Sequence, residues 1–123
     1  MIVLVTGANG LVGANLVREL LSAGHTVRAF VRPTSDRRSV KGLAVNLVFG
    51  DVLNRESLLA AAQGCDLLFH AAAAFTYWDQ SSGDLMKLAV QGTRHVVEAA
   101  HDAGVRRVVL TSSSVVLGSS AHP

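Results

Sequence analysis

The chain begins with MIVLVTGANGLVGANLVREL, residues 1–20, and this stretch decides the fold. Ile2–Thr6 is a short apolar run rich in β-branched side chains, which is typical of a strand buried on both faces of a parallel sheet. Three glycines follow, at Gly7, Gly10 and Gly13, and apolar residues with helical spacing come next. The sequence therefore predicts a strand, a glycine-rich turn and a helix in direct succession.

The rest of the chain alternates between strand and helix patterns. Further strands are predicted over Thr26–Val31, Val45–Phe49, Asp66–His70 and Arg107–Ser112, and helices over Leu11–Ala23, Arg55–Gln63 and Asp84–Ala103. Pro33–Gly42 is predicted to be a loop or a short irregular helix, and Ala71–Gly83 a loop. Alternation without a tight hairpin signal favours an α/β fold, in which helices cover both faces of a parallel sheet. Ser113–Pro123 is predicted to be an unfinished connection after the fifth strand.

Composition limits the class of protein. With 123 residues, 50% of them hydrophobic, the chain is large enough for one domain with a core. A formal charge of +2 is too small to indicate a nucleic-acid partner. Cys65 is the only cysteine, so we predict no internal disulfide and a reducing, cytoplasmic location. No apolar run has the ~20 residues of a membrane span, and the histidine spacing predicts no metal site.

The glycine-rich turn suits a phosphate ligand. A helix N-terminus carries about half a positive charge and directs free N–H groups at one spot. Glycines let a ligand approach the main chain there, because they have no Cβ. We therefore predict that the pyrophosphate of a dinucleotide lies against this turn. The alternative is that the glycines only permit close packing of the helix on the strand.

The end of the second predicted strand indicates the form of the dinucleotide. Dinucleotide-binding units commonly place an acidic residue ~20 positions after the glycines, where it binds the ribose hydroxyls. Here that position falls near Arg32, and the nearest acid, Asp36, lies in the following loop. Since arginine binds phosphate bidentately, we predict NADP(H) rather than NAD(H), with Arg37 or Arg38 assisting. The alternative is that these basic residues form a solvated face.

Other strand ends carry further candidates. Asp51 is predicted to accept a hydrogen bond from the adenine amino group, to cap the next helix, or to do both. The small side chains of Ala71, Ala72 and Ala73 allow close passage of a cofactor. His70 is predicted to be a packed, hydrogen-bonded histidine rather than a catalyst. The serines from Ser112 to Ser114 either polarise a substrate oxygen or bond the local backbone.

Five motifs occur in the order VTGANGLVG, GDV, FHAAA, QGTRHVVEAA and VVLTSSS, and together they resemble the extended short-chain dehydrogenase/reductase family. That family includes NAD-dependent epimerase/dehydratases and dihydroflavonol-reductase-like enzymes. VRPTSDRR and the Tyr77–Trp78 segment are most similar to nucleoside-diphosphate-sugar epimerases and hopanoid-associated epimerases. The resemblance covers nearly all of the chain. It implies a Rossmann-type sheet of five strands in the order 3-2-1-4-5, with flanking helices and a bound nicotinamide dinucleotide.

The resemblance also implies roles for single residues. The resemblance implies that the pyrophosphate lies at Gly7, Asn9, Gly10, Leu11, Val12 and Gly13. It implies that the adenine lies at Asp51 and Val52. The residues implied along the flank of the cofactor are Ala71, Ala72, Ala73 and Ser112. Ser113 is implied to be the catalytic serine, by its distance from Gly118. Ala89 stands where the family has the Asn of an N-x-x-G-T pattern, so the fine positioning of the site differs from that of relatives.

One departure from the family is larger. The family's proton donor is the tyrosine of a Tyr-x-x-x-Lys pair, in which the lysine lowers the tyrosine pKa. The single tyrosine, Tyr77, has Ser81 four positions later, and the only lysines are Lys41 and Lys87. We therefore expect residues 1–123 to be an incomplete NAD(P)-binding domain, truncated before a sixth strand and without its substrate region. Alone, this chain is expected to be inactive.

Two functions remain open from the sequence. The first is the NAD(P)-binding part of a reductase, epimerase or dehydratase, which moves hydride between nicotinamide and an alcohol or carbonyl carbon of a small molecule such as a nucleotide sugar. The second is a non-catalytic NADP-binding sensor or regulatory module. The predicted long helix, Asp84–Ala103, could pair with a second copy to form a homodimer.

Overall fold

The computed structural model describes residues 1–73 and 82–118. The strands are β1 (Ile2–Thr6), β2 (Thr26–Val31), β3 (Asn46–Phe49), β4 (Leu67–His70) and β5 (Arg107–Leu110). The helices are α1 (Leu11–Ser22), α2 (Arg55–Ala62), α3 (Ser82–Lys87) and α4 (Thr93–Asp102), with a π-helical turn over Leu88–Gly92 and 3₁₀ turns over Arg38–Val40 and Ser114–Leu117. Among these residues no helix combines the length and apolar character needed to cross a bilayer.

The five strands form one parallel sheet in the order β3-β2-β1-β4-β5. This confirms the α/β fold and the strand order 3-2-1-4-5. β1 is central, with Thr6 paired to Phe30 of β2 on one side and to His70 of β4 on the other. Because the strands are parallel, the turns that follow them meet at one edge of the sheet.

Side chains of β1 alternate between two cores, one on each face of the sheet. Leu4 lies in the core that α2 and α4 cover, together with Leu58, Leu68 and Val96. Val3 and Val5 lie in the core that α1 covers, with Val17, Val27 and Val31. Residues 3 to 6 of β1 are all fully buried, as predicted for a strand that is covered on both faces.

The predicted single helix over Asp84–Ala103 differs from the structure in three respects, one of which is that α4 ends one residue earlier, at Asp102. The helical segment begins at Ser82, and the π-helical turn Leu88–Gly92 separates α3 from α4. Gly92 is buried there, and a Cβ on it would lie 3.1 Å from Val52 Cγ2. The wider turn thus brings the helix backbone against the loop that follows β3.

The predicted fifth strand extends too far. β5 ends at Leu110, whose partner His70 is the last residue of β4, although the Thr111 N–H still donates to the His70 carbonyl oxygen at 3.0 Å. The predicted strand residue Ser112 lies beyond this end and is exposed. An edge strand ends where its neighbour ends, because the hydrogen-bonding partners stop there.

The remaining boundaries differ little from those predicted. β3 and β4 each begin one residue later than predicted, and α1 and α2 each end one residue earlier. The predicted loop after β2 contains the turn Arg38–Val40, and the predicted connection after β5 begins with the turn Ser114–Leu117. The Tyr77–Trp78 segment and the end of that connection lie outside the described residues.

Candidate functional site

A cavity of about 610 Å³ lies at the edge of the sheet where the strands end. The predicted cofactor residues that line it are Gly7, Asn9, Gly10, Arg32, Asp51, Val52, Ala71, Ala72 and Ala73. These residues follow four different strands, β1 to β4. The predicted residues Leu11, Val12, Gly13, Ser112 and Ser113 do not line it.

The three glycines of the first turn differ in what an added Cβ would contact. Gly7 has a φ of +68°, and a Cβ there would lie 2.6 Å from the main chain of Ala72. A Cβ on Gly13 would lie 2.1 Å from the Gly7 carbonyl oxygen. Close packing within the chain therefore requires both of these glycines. A Cβ on Gly10 would meet only the Gly7 carbonyl oxygen, at 3.3 Å, so the side of Gly10 is open.

The N-terminus of α1 begins at this open position. Gly10 is the N-cap residue and provides no side-chain cap, and the first turn of α1 has no acidic residue. The first intrahelical bond runs from the Ala14 N–H to the Gly10 carbonyl oxygen at 2.9 Å. The N–H groups of residues 11 to 13 have no acceptor within the described ranges, as is usual at a helix start. These groups are free to bind an anion.

The loop after β2 brings charge to the cavity. Arg32 lines the cavity and is exposed. The carboxylate of Asp36 accepts hydrogen bonds from the Arg38 N–H at 2.9 Å and from Arg38 Nε at 2.7 Å. These bonds hold the pKa of Asp36 below its usual value. The Arg37 guanidinium lies 5.4 Å from the centre of the Phe49 ring. Arg37 and Arg38 thus have partners within the chain.

The carboxylate of Asp51 shapes the turn after β3. Its Oδ1 accepts a hydrogen bond from the Leu53 N–H at 2.8 Å. Asn54 caps α2 instead, accepting from the Ser57 N–H at 3.0 Å. The predicted alternative role of Asp51 as the helix cap is therefore wrong. Asp51 Oδ2 accepts no hydrogen bond in residues 1–73 and 82–118, so it is available to a ligand in the cavity.

Phe30 and Gly50 also line the cavity, and neither was predicted from the sequence. A Cβ on Gly50 would lie 2.5 Å from two atoms of the Phe30 ring. Gly50 thus allows this aromatic ring to fit beneath the turn that carries Asp51. A glycine directly after a predicted strand was the available signal, but the sequence does not show which side chain it accommodates.

His70 precedes Ala71, which lines the cavity, and is only 6% exposed. The Thr6 hydroxyl is 2.7 Å from His70 Nδ1, and the Thr93 hydroxyl is 3.5 Å from Nε2. Burial lowers the pKa of His70, because a charged imidazole is poorly solvated there. His70 is therefore a packed, hydrogen-bonded histidine, as its position at the end of a buried strand predicted.

The helix α3 and the turn after it supply a wall of the cavity that sequence reasoning missed. Asp84, Lys87 and Leu88 all line it. Their spacing of three and four residues places them on one helix face, which is the signal that could have identified them. Across the described part of the chain, no three His, Cys, Asp or Glu side chains lie together as metal ligands.

Ser112 and Ser113 follow β5, next to β4 in the sheet, and both are exposed. They lie at the same sheet edge as the cavity, because parallel strands end together. Their predicted roles remain predictions.

Comparisons with known proteins agree with this geometry. The family model that matches residues 3–123 is described as the NAD dependent epimerase/dehydratase family. Sterol demethylase protein B of Methylococcus capsulatus is 47% identical over 118 residues, which make up 96% of this chain and 36% of that protein. The 3-beta-hydroxysteroid dehydrogenase of Mycolicibacterium neoaurum is 42% identical, over 94% of this chain and 33% of that protein.

A solved structure is also similar. It is a short-chain dehydrogenase/reductase superfamily protein from Agrobacterium tumefaciens with bound NAD, which is 36% identical and superimposes with a TM-score of 0.79. The match covers 96% of this chain and 34% of that one. The chain thus spans about a third of the length of the relatives that it matches.

Proposed function

This chain belongs to the NAD-dependent epimerase/dehydratase family, and from that premise we propose that its cavity binds NADP(H) for hydride transfer to or from a small-molecule alcohol or carbonyl. The observation that carries the proposal is the open side of Gly10. It lies in a cavity at the edge where ligands bind in open α/β sheets. When bound, the nicotinamide would supply or accept the hydride.

The pyrophosphate fits the glycine turn. The Gly7 and Gly13 positions are filled by the chain's own atoms, whereas the space beside Gly10 is left open. A diphosphate placed there would meet the free N–H groups at the start of α1, together with the partial positive charge of the helix end. The main chain would therefore hold the part of the cofactor that NAD(H) and NADP(H) share.

Arg32 would bind the 2′-phosphate that distinguishes NADP(H). It lines the cavity at the end of β2, where NAD-binding relatives of this fold carry an acid that bonds the ribose. The nearby acid, Asp36, has both carboxylate oxygens engaged by Arg38. A carboxylate paired in this way repels a phosphate less than a free one would, and it has less capacity to bind ribose hydroxyls.

The adenine and the reacting end of the cofactor have candidates as well. Asp51, with one oxygen available, would accept a hydrogen bond from the adenine amino group. Ala71–Ala73 would let the cofactor pass close to the main chain after β4. Ser113 would orient the reacting oxygen of the substrate. We propose that a tyrosine and lysine elsewhere in a longer chain move its proton, because no Tyr-x-x-x-Lys occurs in this sequence.

The names of the relatives support a class of reacting carbon. One relative is named as a hydroxysteroid dehydrogenase, and the matching family is named for epimerases and dehydratases. The proposed hydride transfer to or from nicotinamide needs an alcohol or carbonyl carbon on the substrate. We propose such a carbon, on a small molecule that includes nucleotide sugars, as the reacting centre.

Titration of the purified chain with NADPH and with NADH tests the proposal. We expect tighter binding of NADPH, and Arg32→Ala to remove most of the difference while NADH binding stays nearly unchanged. The matched control is Arg107→Ala, an exposed arginine at the amino end of β5, on the opposite edge of the sheet. Tighter binding of NADH by the unchanged chain, or an unaltered NADPH preference in Arg32→Ala, would contradict the NADP(H) assignment.

A further inference from the structure

Two hydrogen bonds fasten the loop after β2 to the glycine turn, and both involve Asn9. The Asn9 side-chain amide donates from Nδ2 to the Asp36 carbonyl oxygen at 3.0 Å. In the opposite direction, the Ser39 hydroxyl donates to the Asn9 carbonyl oxygen at 2.8 Å. The loop and the turn are thus joined at two points, through the side chain and the main chain of one residue.

The same loop is also anchored to α1. The Arg18 guanidinium donates to the Ser39 carbonyl oxygen at 2.7 Å and to the Ala14 carbonyl oxygen at 3.1 Å. Val40, the next residue of the loop, is only 3% exposed. Ser39 therefore uses both its hydroxyl and its carbonyl oxygen to attach the loop to the segment from Asn9 to Arg18.

The attached loop includes the residues at the ribose end of the cavity. Arg32 and Ser35 both line that cavity, and the Ser35 N–H donates to the Arg32 carbonyl oxygen at 3.0 Å. Asp36 follows directly and receives the Asn9 amide. The position of this short segment relative to the glycine turn thus depends on Asn9.

We infer that Asn9 is a positioning residue for cofactor preference: it holds the segment Arg32–Asp36 where a cationic side chain can meet the 2′-phosphate of NADP(H). The inference rests on the proposed function and deepens it. It adds a second role to the cofactor contact that the resemblance implies for Asn9, because the side-chain amide donates to the loop at Asp36. Asn9 acts through the loop, and Arg32 contacts the phosphate.

This role makes a prediction about the ratio of two affinities. Loss of the Asn9 amide leaves the main-chain groups that face the shared pyrophosphate unchanged, so NADH affinity should change by less than about twofold. NADPH affinity should fall by about fivefold, the effect of one typical net hydrogen bond that no longer orders the loop. A merely structural role for Asn9 would weaken the binding of both cofactors alike.

The experiment compares Asn9→Ala and Ser39→Ala with the unchanged chain, by calorimetric titration with NADPH and with NADH. Each variant removes one of the two bonds between loop and turn, so both should lower the NADPH-to-NADH affinity ratio. The matched control is Asn15→Ala. Its side-chain amide also donates to a main-chain oxygen, that of Leu11 at 2.9 Å, within α1. Its amide oxygen accepts a 3.5 Å bond from Arg18, but no atom of Asn15 bonds the loop itself.

The outcomes separate this inference from the proposed function. If the unchanged chain binds neither cofactor, the proposed function fails and the inference fails with it. If the chain prefers NADPH and Asn9→Ala keeps the same ratio, or loses both cofactors equally, only the positioning role of Asn9 is wrong. If circular dichroism shows that Asn9→Ala does not fold, the Ser39→Ala variant tests the inference instead. An unchanged NADPH-to-NADH affinity ratio in Ser39→Ala would then overturn it.

Discussion

Replacing Gly10 or Gly13 by alanine should separate cofactor binding from folding. The two glycines are three residues apart in the same turn, but an added Cβ meets very different surroundings. On Gly10 it would meet one carbonyl oxygen at 3.3 Å, and on Gly13 it would lie 2.1 Å from the same oxygen and 2.8 Å from its carbon. Both contacts are with main chain, which cannot rotate away as a flexible side chain can, so only the much shorter contact at Gly13 forces the turn to shift.

The magnitudes follow from these contacts. At Gly10 the backbone φ is −76°, which alanine adopts without strain. The weaker N-cap preference of alanine and the smaller entropy of its unfolded chain largely offset each other, leaving a change in unfolding free energy of less than about 1 kcal/mol. At Gly13 the turn must shift, at a cost of about 1–3 kcal/mol. For a domain of this size, that corresponds to a fall in Tm of about 4–12 °C.

Cofactor binding should respond differently from stability. A methyl group on Gly10 would occupy the space assigned to the pyrophosphate, so Gly10→Ala should lose at least about tenfold in affinity for both NADPH and NADH, or about 1.4 kcal/mol. Thermal unfolding followed by circular dichroism gives Tm, and calorimetric titration gives the affinities. Gly13→Ala is the control in which the fold itself is damaged.

Two results would refute this reasoning. Unchanged affinity of Gly10→Ala for both cofactors would show that the open side of Gly10 is not where the pyrophosphate lies. An equal loss of Tm in the two variants would show that the packing of the turn does not distinguish them. The first result contradicts the proposed function, whereas the second contradicts only the account of the fold.

Two further predictions concern buried groups outside the cavity. Burial lowers the pKa of His70 in the folded chain, so its contribution to stability is complete above the unfolded value of about 6.5 and is lost as pH falls below it. In urea titrations from pH 7.5 to 5, His70→Gln should therefore lose less stability than the unchanged chain, and parallel curves would contradict this. Burial also raises the pKa of the Cys65 thiol, which is 5% exposed. A thiol reagent at pH 8 should thus label it much more slowly in the folded chain than in guanidinium chloride, and equal labelling rates would contradict this.

The sequence predicted the sheet well because each strand is specified locally. β1 is a continuous apolar run, and the glycines, asparagine cap and polar loops mark where neighbouring elements begin and end. The end of β5 could not be predicted from its own residues, because it is set by where the neighbouring strand β4 ends. The π-helical turn also left no signal. The apolar residues Leu85, Leu88, Gly92 and Val96 keep a helical spacing of three or four, which does not distinguish an α-helix from one that contains a wider turn.

The site residues that lie near strand ends were predicted from the sequence. Those whose position depends on the path of the chain between strands were missed. Arg32 and Asp51 lie within two residues of strand ends, so the order of the sheet was sufficient to place them at one edge. Lys87 reaches the cavity only because α3 passes over that edge. The Asn9 amide finds its partner 27 positions away, at a main-chain oxygen that no side-chain pattern reveals.

The two ends of the proposed cofactor site are held by different kinds of contact, and this difference determines which of them can change independently of the fold. The pyrophosphate end is fixed by main-chain packing between Gly7, Gly13 and Ala72, at distances that leave no space for a Cβ. Substitution there damages the sheet edge itself. The ribose end is held by side-chain hydrogen bonds from Asn9 and Ser39 to an exposed loop. Each such bond contributes only about 1 kcal/mol, so cofactor preference can be altered at this end without unfolding the domain.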